Sequence, residues 1–285
     1  MIQVTKYYNR PTVSYLEKIK NKYRYPLIIL KQLVITDFKL RYQSSFLGYV
    51  WTLLKPLALF AILYIVFVKV LNVGADSPHF GVSLLLGIVL WNYFVEVTMG
   101  GINAVVGNSE LMRKIYFPRY VVVLAGSFSA FINLLLTMIV VFVFMYINGV
   151  EFTATSIFVV FPIIEMFIFS LSLAFILSAL YVRFRDVNYI WEVLLQAAFY
   201  ATPIIYPFSL VIDQSQLFAK ILIINPMAQI VQDSRAMLIY SETPTINDVF
   251  GSSFAIIIPL LIVSILTVFA IYYFKKRSPY FAEEV

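Results

Sequence analysis

From Tyr49 onward the chain stays mostly apolar for more than 200 residues, broken only by short polar loops. Apolar runs of this length point to a lipid bilayer rather than to a large soluble core. The charged residues agree with this: they make up 13% of the chain, against roughly 25% in a soluble domain. The mean hydropathy is +0.88. The change of environment falls within Asp37 to Pro56, which reads DFKLRYQSSFLGYVWTLLKP. Asp37, Lys39 and Arg41 stay with water or headgroups, a polar break follows at Gln43-Ser44-Ser45, and Gly48 and Trp51 suit the interface and close helix approach.

The expected fold is an all-α integral membrane protein with six transmembrane helices. The spans fall at about 49–71, 82–106, 121–147, 155–180, 187–205 and 253–274. Residues 1–48 form an N-terminal segment containing an amphipathic helix from about Pro26 to Arg41. In that helix Leu27, Leu30, Val34 and Phe38 recur three or four apart, while Lys31 and Lys39 lie elsewhere, so it reads as lying along the membrane surface. The segment 206–251 differs from both spans and loops. Its apolar stretches, 207–212 and 218–224, are too short to cross a core of ~30 Å and too apolar for an open loop, so short half-buried helices are expected before the last span. Residues 275–285 form a basic tail.

Charge sets the orientation. With the N-terminus inside, segments 1–49, 107–120, 181–186 and 275–285 carry seventeen of the 21 Lys and Arg residues against six acids. The opposite loops carry Lys69, Lys220 and Arg235 against six acids. Every inner loop then obeys the positive-inside rule, which places both termini in the cytoplasm. The net charge of +6 reflects this retention, and no nucleic-acid partner is expected. No apolar core follows the first residues, so no signal peptide is expected.

The chemistry of an enzyme is not written in this chain. It has no cysteine and a single histidine, His79, which excludes thiolate metal sites, disulfides and His clusters. There is no HExxH, no GxSxG and no GxxxxGK[ST] phosphate loop, so no catalytic or metal site is expected and the chain does not itself hydrolyse ATP by that route. Three acids fall within spans: Glu96, Glu165 and Glu192. A carboxylate there marks either a proton pathway or a locally hydrogen-bonded group. Glu192, close to Asp186, fits a position near a membrane face. The rings of Trp51, Trp91 and Trp191 suit either a lipid-facing belt or a surface against which sugars slide. The loop 107–120 is longer than a turn requires. It offers Asn108 or Ser109 as a cap, then Glu110, Arg113 and Lys114, and it stops at Pro118. A short charged surface helix is expected there, either docking a partner or resting on headgroups.

The blocks DFKLRYQSSFLGYVWTLLKP, NSELMRKIYFPRY, YVRFRDVNYIWEVLLQAAFYATPIIYP and INPMAQIVQDSRAML occur in this order and in fixed relation to the spans. In this the chain resembles the membrane subunits of polysaccharide-exporting ABC transporters, of the ABC-2 type. That group includes O-antigen, capsular, wall teichoic acid and rhamnose-polysaccharide exporters. The resemblance runs over nearly the whole chain from about Lys31. It implies an exporter of a polyprenyl-diphosphate-linked polysaccharide or teichoic acid across the bacterial cytoplasmic membrane. It further implies two copies of this chain and two copies of a separate ATP-binding subunit, which carries the ATP and magnesium.

The same resemblance assigns roles by position. Asn108, Glu110, Arg113, Lys114 and Arg119 belong to a coupling helix that meets the ATPase. Lys31, Asp37 and Arg41 belong to the interface helix. Arg41, Lys55, Arg183 and Arg185 line the entrance for the lipid diphosphate. Tyr206, Asn225 and Pro226 belong to outer gate helices. Trp51, Tyr64, Trp91 and Tyr200 are candidates for the glycan path. A drug exporter of the same broad type, and a proton-coupled or scaffold membrane protein without an ATPase, are the competing readings.

Overall fold

The computed structural model describes residues 15–42, 48–75, 77–114 and 117–281. Among them there is no strand. Five helical stretches are long and apolar enough to cross a bilayer: Val50–Val70, Phe80–Gly107, Tyr120–Ile147, Ala154–Arg183 and Ile257–Tyr280. They correspond to the expected first, second, third, fourth and last spans.

The expected fifth span, 187–205, differs. Its helix, α7, covers only Val187–Ala201. Fifteen residues reach about 22 Å, short of the ~30 Å hydrocarbon core. Pro203 ends it: Thr202 is pushed to an extended conformation, φ −93° and ψ 133°, as the residue before a proline generally is. The chain is thus an all-α multi-pass membrane protein with about five apolar spanning helices and a run of short helices near the last one.

The first helix, α1, is Tyr15–Tyr42, eleven residues longer at its start than expected, with Pro26 inside it. It packs along α5, Tyr120–Ile147. Pro26, Ile29, Leu30, Leu33 and Val34 are buried or half-buried at helical spacing, while Lys31 and Gln32 are exposed. Leu27, expected on the apolar side, is 60% exposed. Contact with α5 thus covers Leu30 and Val34 of the expected apolar row and leaves Leu27 open. The Phe38 and Arg41 side chains lie outside the described residues.

Helix α3, Phe80–Gly107, is the centre of the molecule. It packs against α5 on one side and α6, Val160–Arg183, on another. Residues 82–91 of α3 are buried without a break, so this span carries no exposed lipid face at that level. Gly101 allows α3 and α6 to close up, because a Cβ there would lie 2.5 Å from the Ala174 Cβ. Phe94 stacks on Phe169 nearby, with centroids 5.5 Å apart and planes at 9°. Helix α12, Ile257–Arg277, covers the far side of α6, where Ser172 Oγ and Thr267 Oγ1 are 2.9 Å apart.

Helix α2, Gly48–Leu63, continues as a π-helical stretch, Tyr64–Val70. It is anchored mainly by Pro56 and Phe60, which are buried, Phe60 meeting the Phe144 ring at 5.3 Å. Otherwise α2 is largely uncovered, with Trp51, Ile62, Ile65 and Val70 all exposed.

Between α7 and α12 the chain folds as four short helices: α8 Ser209–Gln214, α9 Gln216–Ile224, α10 Pro226–Leu238 and α11 Ile246–Phe250. Local sequence sets the breaks. Ser215 Oγ accepts from the Phe218 amide, and Asn225 Oδ1 accepts from the Met227 amide at 3.1 Å with Pro226 in the first turn. Each side chain satisfies an orphan donor at a helix start. Gly251, at φ +64°, closes α11. A small separate core formed by Phe208, Val211, Ala219, Ile223, Ile246 and Ala255 holds α8, α9 and α11 together.

Candidate functional site

The connection from α3 to α5 is built as a short projecting helix. Asn108 does not cap it. The Asn108 Nδ2 turns back and donates to the Ala104 carbonyl at 2.8 Å, because the last carbonyls of α3 need donors. Helix α4, Ser109–Lys114, then runs six residues. Glu110 and Lys114 pair across one turn at 3.6 Å with both side chains open to solvent, and Arg113 is exposed as well. Exposed pairs of this kind contribute only about 0.3–0.5 kcal/mol, so these charges are available for contact and are not needed for folding.

Arg119, grouped with them by sequence, is also tied within the chain. It is half-buried, and its Nη1 donates to the Ser278 carbonyl, joining the start of α5 to the end of α12. Beside this joint a cavity of ≈ 610 Å³ is lined by Met112, Phe117, Tyr120, Phe274 and Lys275 among others. Met112 of α4 thus shares this cavity with residues of α5 and α12.

Helices α2, α3 and α5 enclose a cleft of ≈ 440 Å³. Trp51 and Lys55 of α2 form one wall, and Asn92, Glu96 and Asn133 supply polar groups from the other two helices. Asn133 Nδ2 donates to Glu96 Oε1 at 2.9 Å, so Glu96 is part of an interhelical link. Lys55 of α2 lines the same cleft.

The four candidate rings do not share one environment. Trp51 and Tyr200 are exposed, at 57% and 65%. Tyr64 is half-buried, with its ring over Gly81 and Lys69 5.7 Å from its centroid. Trp91 is buried between Phe94 and Phe199, at 5.4 Å and 5.7 Å, so within a single chain it serves the core. Arg183 and Arg185 are exposed where α6 ends, each over a neighbouring ring, Phe184 and Tyr181 respectively. Lys31 is exposed and Asp37 half-buried on α1. Glu192 is exposed on α7.

Arg235 was legible only as a loop charge, yet it organises the short helices. It is 2% exposed and lies on α10. Its guanidinium donates to the carbonyls of Ser83, Pro203 and Ile204. One side chain thus ties α10 both to the first turn of α3 and to the proline turn after α7. The signal in the sequence is that positions 231, 232, 238 and 239, one turn away on either side, carry Val, Gln, Leu and Ile, so no acid on the same helix could pair with it. Tyr206, half-buried, donates to the Tyr200 carbonyl at 3.0 Å and reinforces the same turn. Asn225 and Pro226 start α10.

Among the described residues no group of three or more His, Cys, Asp or Glu is placed to hold a metal ion. What the arrangement offers is mechanical: a projecting charged helix, a polar cleft beside α2, and a set of short helices pinned through one buried arginine.

Comparison with known proteins fits these elements. Residues 29–239 match the family model described as ABC-2 type transporter. An O-antigen export system permease protein RfbA of Klebsiella pneumoniae is 30% identical over 217 residues, covering 75% of this chain and 82% of that protein. Proteins of the same description from Myxococcus xanthus and Klebsiella pneumoniae are each 27% identical, over 94% and 93% of this chain and 98% of their own lengths. This chain therefore belongs to the ABC-2 type transporter family, as a membrane permease subunit related to the O-antigen export permeases.

Proposed function

We propose that the chain is the membrane half of an ATP-driven exporter that moves a polyprenyl-diphosphate-linked polysaccharide out across the bacterial cytoplasmic membrane. Two copies work with two copies of an ATP-binding subunit. The observation that carries the reading is α4. A six-residue helix with Glu110, Arg113 and Lys114 exposed stands between two membrane-spanning helices, where a partner that changes shape with ATP can grip it.

In this reading α7 and the turn at residues 202–205 make the sixth crossing, which keeps α4, the α6–α7 turn and both termini on the cytoplasmic side in line with the positive-inside rule. α1 lies at that surface beside the partner. The short helices α8 to α11 enter the opposite leaflet as a gate, their broken backbone shielded by α3 and α6. The path runs between two copies along the uncovered faces of α2 and α7. Trp51 and Tyr200 are exposed on those helices, and aromatic faces suit the C–H faces of sugars. Lys55, Arg183 and Arg185 attract the diphosphate at the entrance.

ATP closes the partner subunits, α4 moves, and the Arg119 link carries that motion to α12. No bond of the cargo is made or broken in this chain. The experiment is deletion of this chain in its host, with fractionation of the lipid-linked glycan. Export predicts loss of surface glycan with accumulation on the cytoplasmic face, repeated by a Glu110→Ala/Arg113→Ala/Lys114→Ala variant. Unchanged surface glycan in the deletion strain would rule the reading out.

A further inference from the structure

A third cavity, of ≈ 630 Å³, opens between α6, α10 and α12 and is used by none of the roles above. Its walls are apolar, with Phe161 and Ile164 of α6 and Leu260 of α12 exposed around it. In a chain that crosses a membrane, such exposed faces meet lipid tails. Its polar end is Glu165, Gln229 and Asp233, which are only 8%, 1% and 5% exposed.

Gln229 Nε2 donates to Asp233 Oδ2 at 2.5 Å. That leaves the Gln229 carbonyl oxygen without a partner, and Glu165 Oε1 has none either. The cavity lining contains no lysine, arginine or histidine, and its two hydroxyls, Ser264 and Thr267, donate to the Leu260 and Val263 carbonyls. Arg235, two residues beyond Asp233, is turned toward Ser83, Pro203 and Ile204. Unpartnered buried acceptors of this kind are costly. The group that completes them carries several N–H donors and positive charge, and it is attached to something that suits the apolar wall.

We infer that this cavity binds an amphiphile with a primary ammonium headgroup, the ammonium among Glu165, Gln229 and Asp233 and an acyl chain along α6 and α12. A primary ammonium offers three donors. A quaternary ammonium has none to offer, and an anionic headgroup is repelled by the two carboxylates. The inference needs only that the chain crosses a membrane, so it stands or falls separately from the export reading.

The test uses the full-length chain, purified in detergent, stripped of lipid and offered phosphatidylethanolamine, phosphatidylcholine or phosphatidylglycerol, with bound lipid read by native mass spectrometry. Wild type retains phosphatidylethanolamine about tenfold over the other two, the weight of one charge-assisted hydrogen bond. Glu165→Gln/Asp233→Asn abolishes that preference, and Glu192→Gln, on an exposed position of α7, keeps it. Equal retention of the three lipids by wild type, or binding of an inorganic cation in place of lipid, overturns the inference without any variant having to fold. A preference that survives in Glu165→Gln/Asp233→Asn overturns it as well.

Discussion

Arg235 donates twice to the carbonyl oxygen of Ser83, through Nε at 3.3 Å and Nη2 at 3.2 Å, across a separation of 152 residues. The same guanidinium reaches Pro203 and Ile204. Arg235→Ala strands the buried Pro203 and Ile204 carbonyls, at ~1–3 kcal/mol for each one left unsatisfied. The expected outcome is a clearly lower unfolding temperature in detergent and faster proteolysis between residues 202 and 251. Arg235→Lys recovers only part of the loss, since an ammonium lacks the planar fork that spans several acceptors. Unchanged proteolysis in Arg235→Ala would show that the short helices are held by other contacts.

Gly101 marks the closest approach of α3 and α6. In Gly101→Ala the new Cβ meets the Ala174 Cβ at 2.5 Å and Cα at 2.8 Å, so the helices must separate, at a cost of about 1–3 kcal/mol. Gly100→Ala, where nothing lies within 4 Å, is tolerated. Pairing Gly101→Ala with Ala174→Gly recovers part of the lost stability. Thermal unfolding of the three variants in one detergent measures this directly.

Asn225 supplies the oxygen that starts α10. Asn225→Ala removes it and lowers stability by about 1 kcal/mol, whereas Asn225→Asp keeps an acceptor in place and stays near wild type. Equal midpoints for the two variants would contradict the capping role.

How much of this was legible in the sequence depends on whether local or distant contacts decide the outcome. The five long spans follow from apolar length alone, and the Asn225-Pro226 break follows from capping chemistry. The expected fifth span ran too far because its apolar stretch continues past Pro203, while the backbone at Thr202 obeys the proline and not the hydropathy. On α1 the pattern gives the apolar row, but which of its members α5 covers, Leu30 and Val34 and not Leu27, is decided by a segment far along the chain. Asn108 looked like a cap for α4 and instead closes α3, two uses that local sequence permits equally. Arg119 was grouped with Glu110, Arg113 and Lys114 by position, yet its partner is Ser278, 159 residues away. Arg235 was counted as a loop charge because its three acceptors come from segments far along the chain.

The division of labour within residues 107–120 gives a further expectation. Arg119→Ala loosens the joint to α12 and lowers the unfolding temperature. Changing Glu110, Arg113 and Lys114 together leaves it within about 0.5 kcal/mol of wild type, as exposed charges do. Equal destabilisation by both would remove the distinction between a structural joint and a docking surface.

The most direct measurement is purification of the full chain with its ATP-binding subunit, followed by ATPase assay in nanodiscs, for wild type and for Glu110→Ala/Arg113→Ala/Lys114→Ala. The expected result is a stable complex in wild type and a folded variant whose assembly or ATPase activity falls severalfold, the loss of a few charged contacts across an interface. A folded wild-type chain that binds no ATPase, or a variant that assembles and hydrolyses ATP at the wild-type rate, would contradict the assignment of α4 as the coupling element.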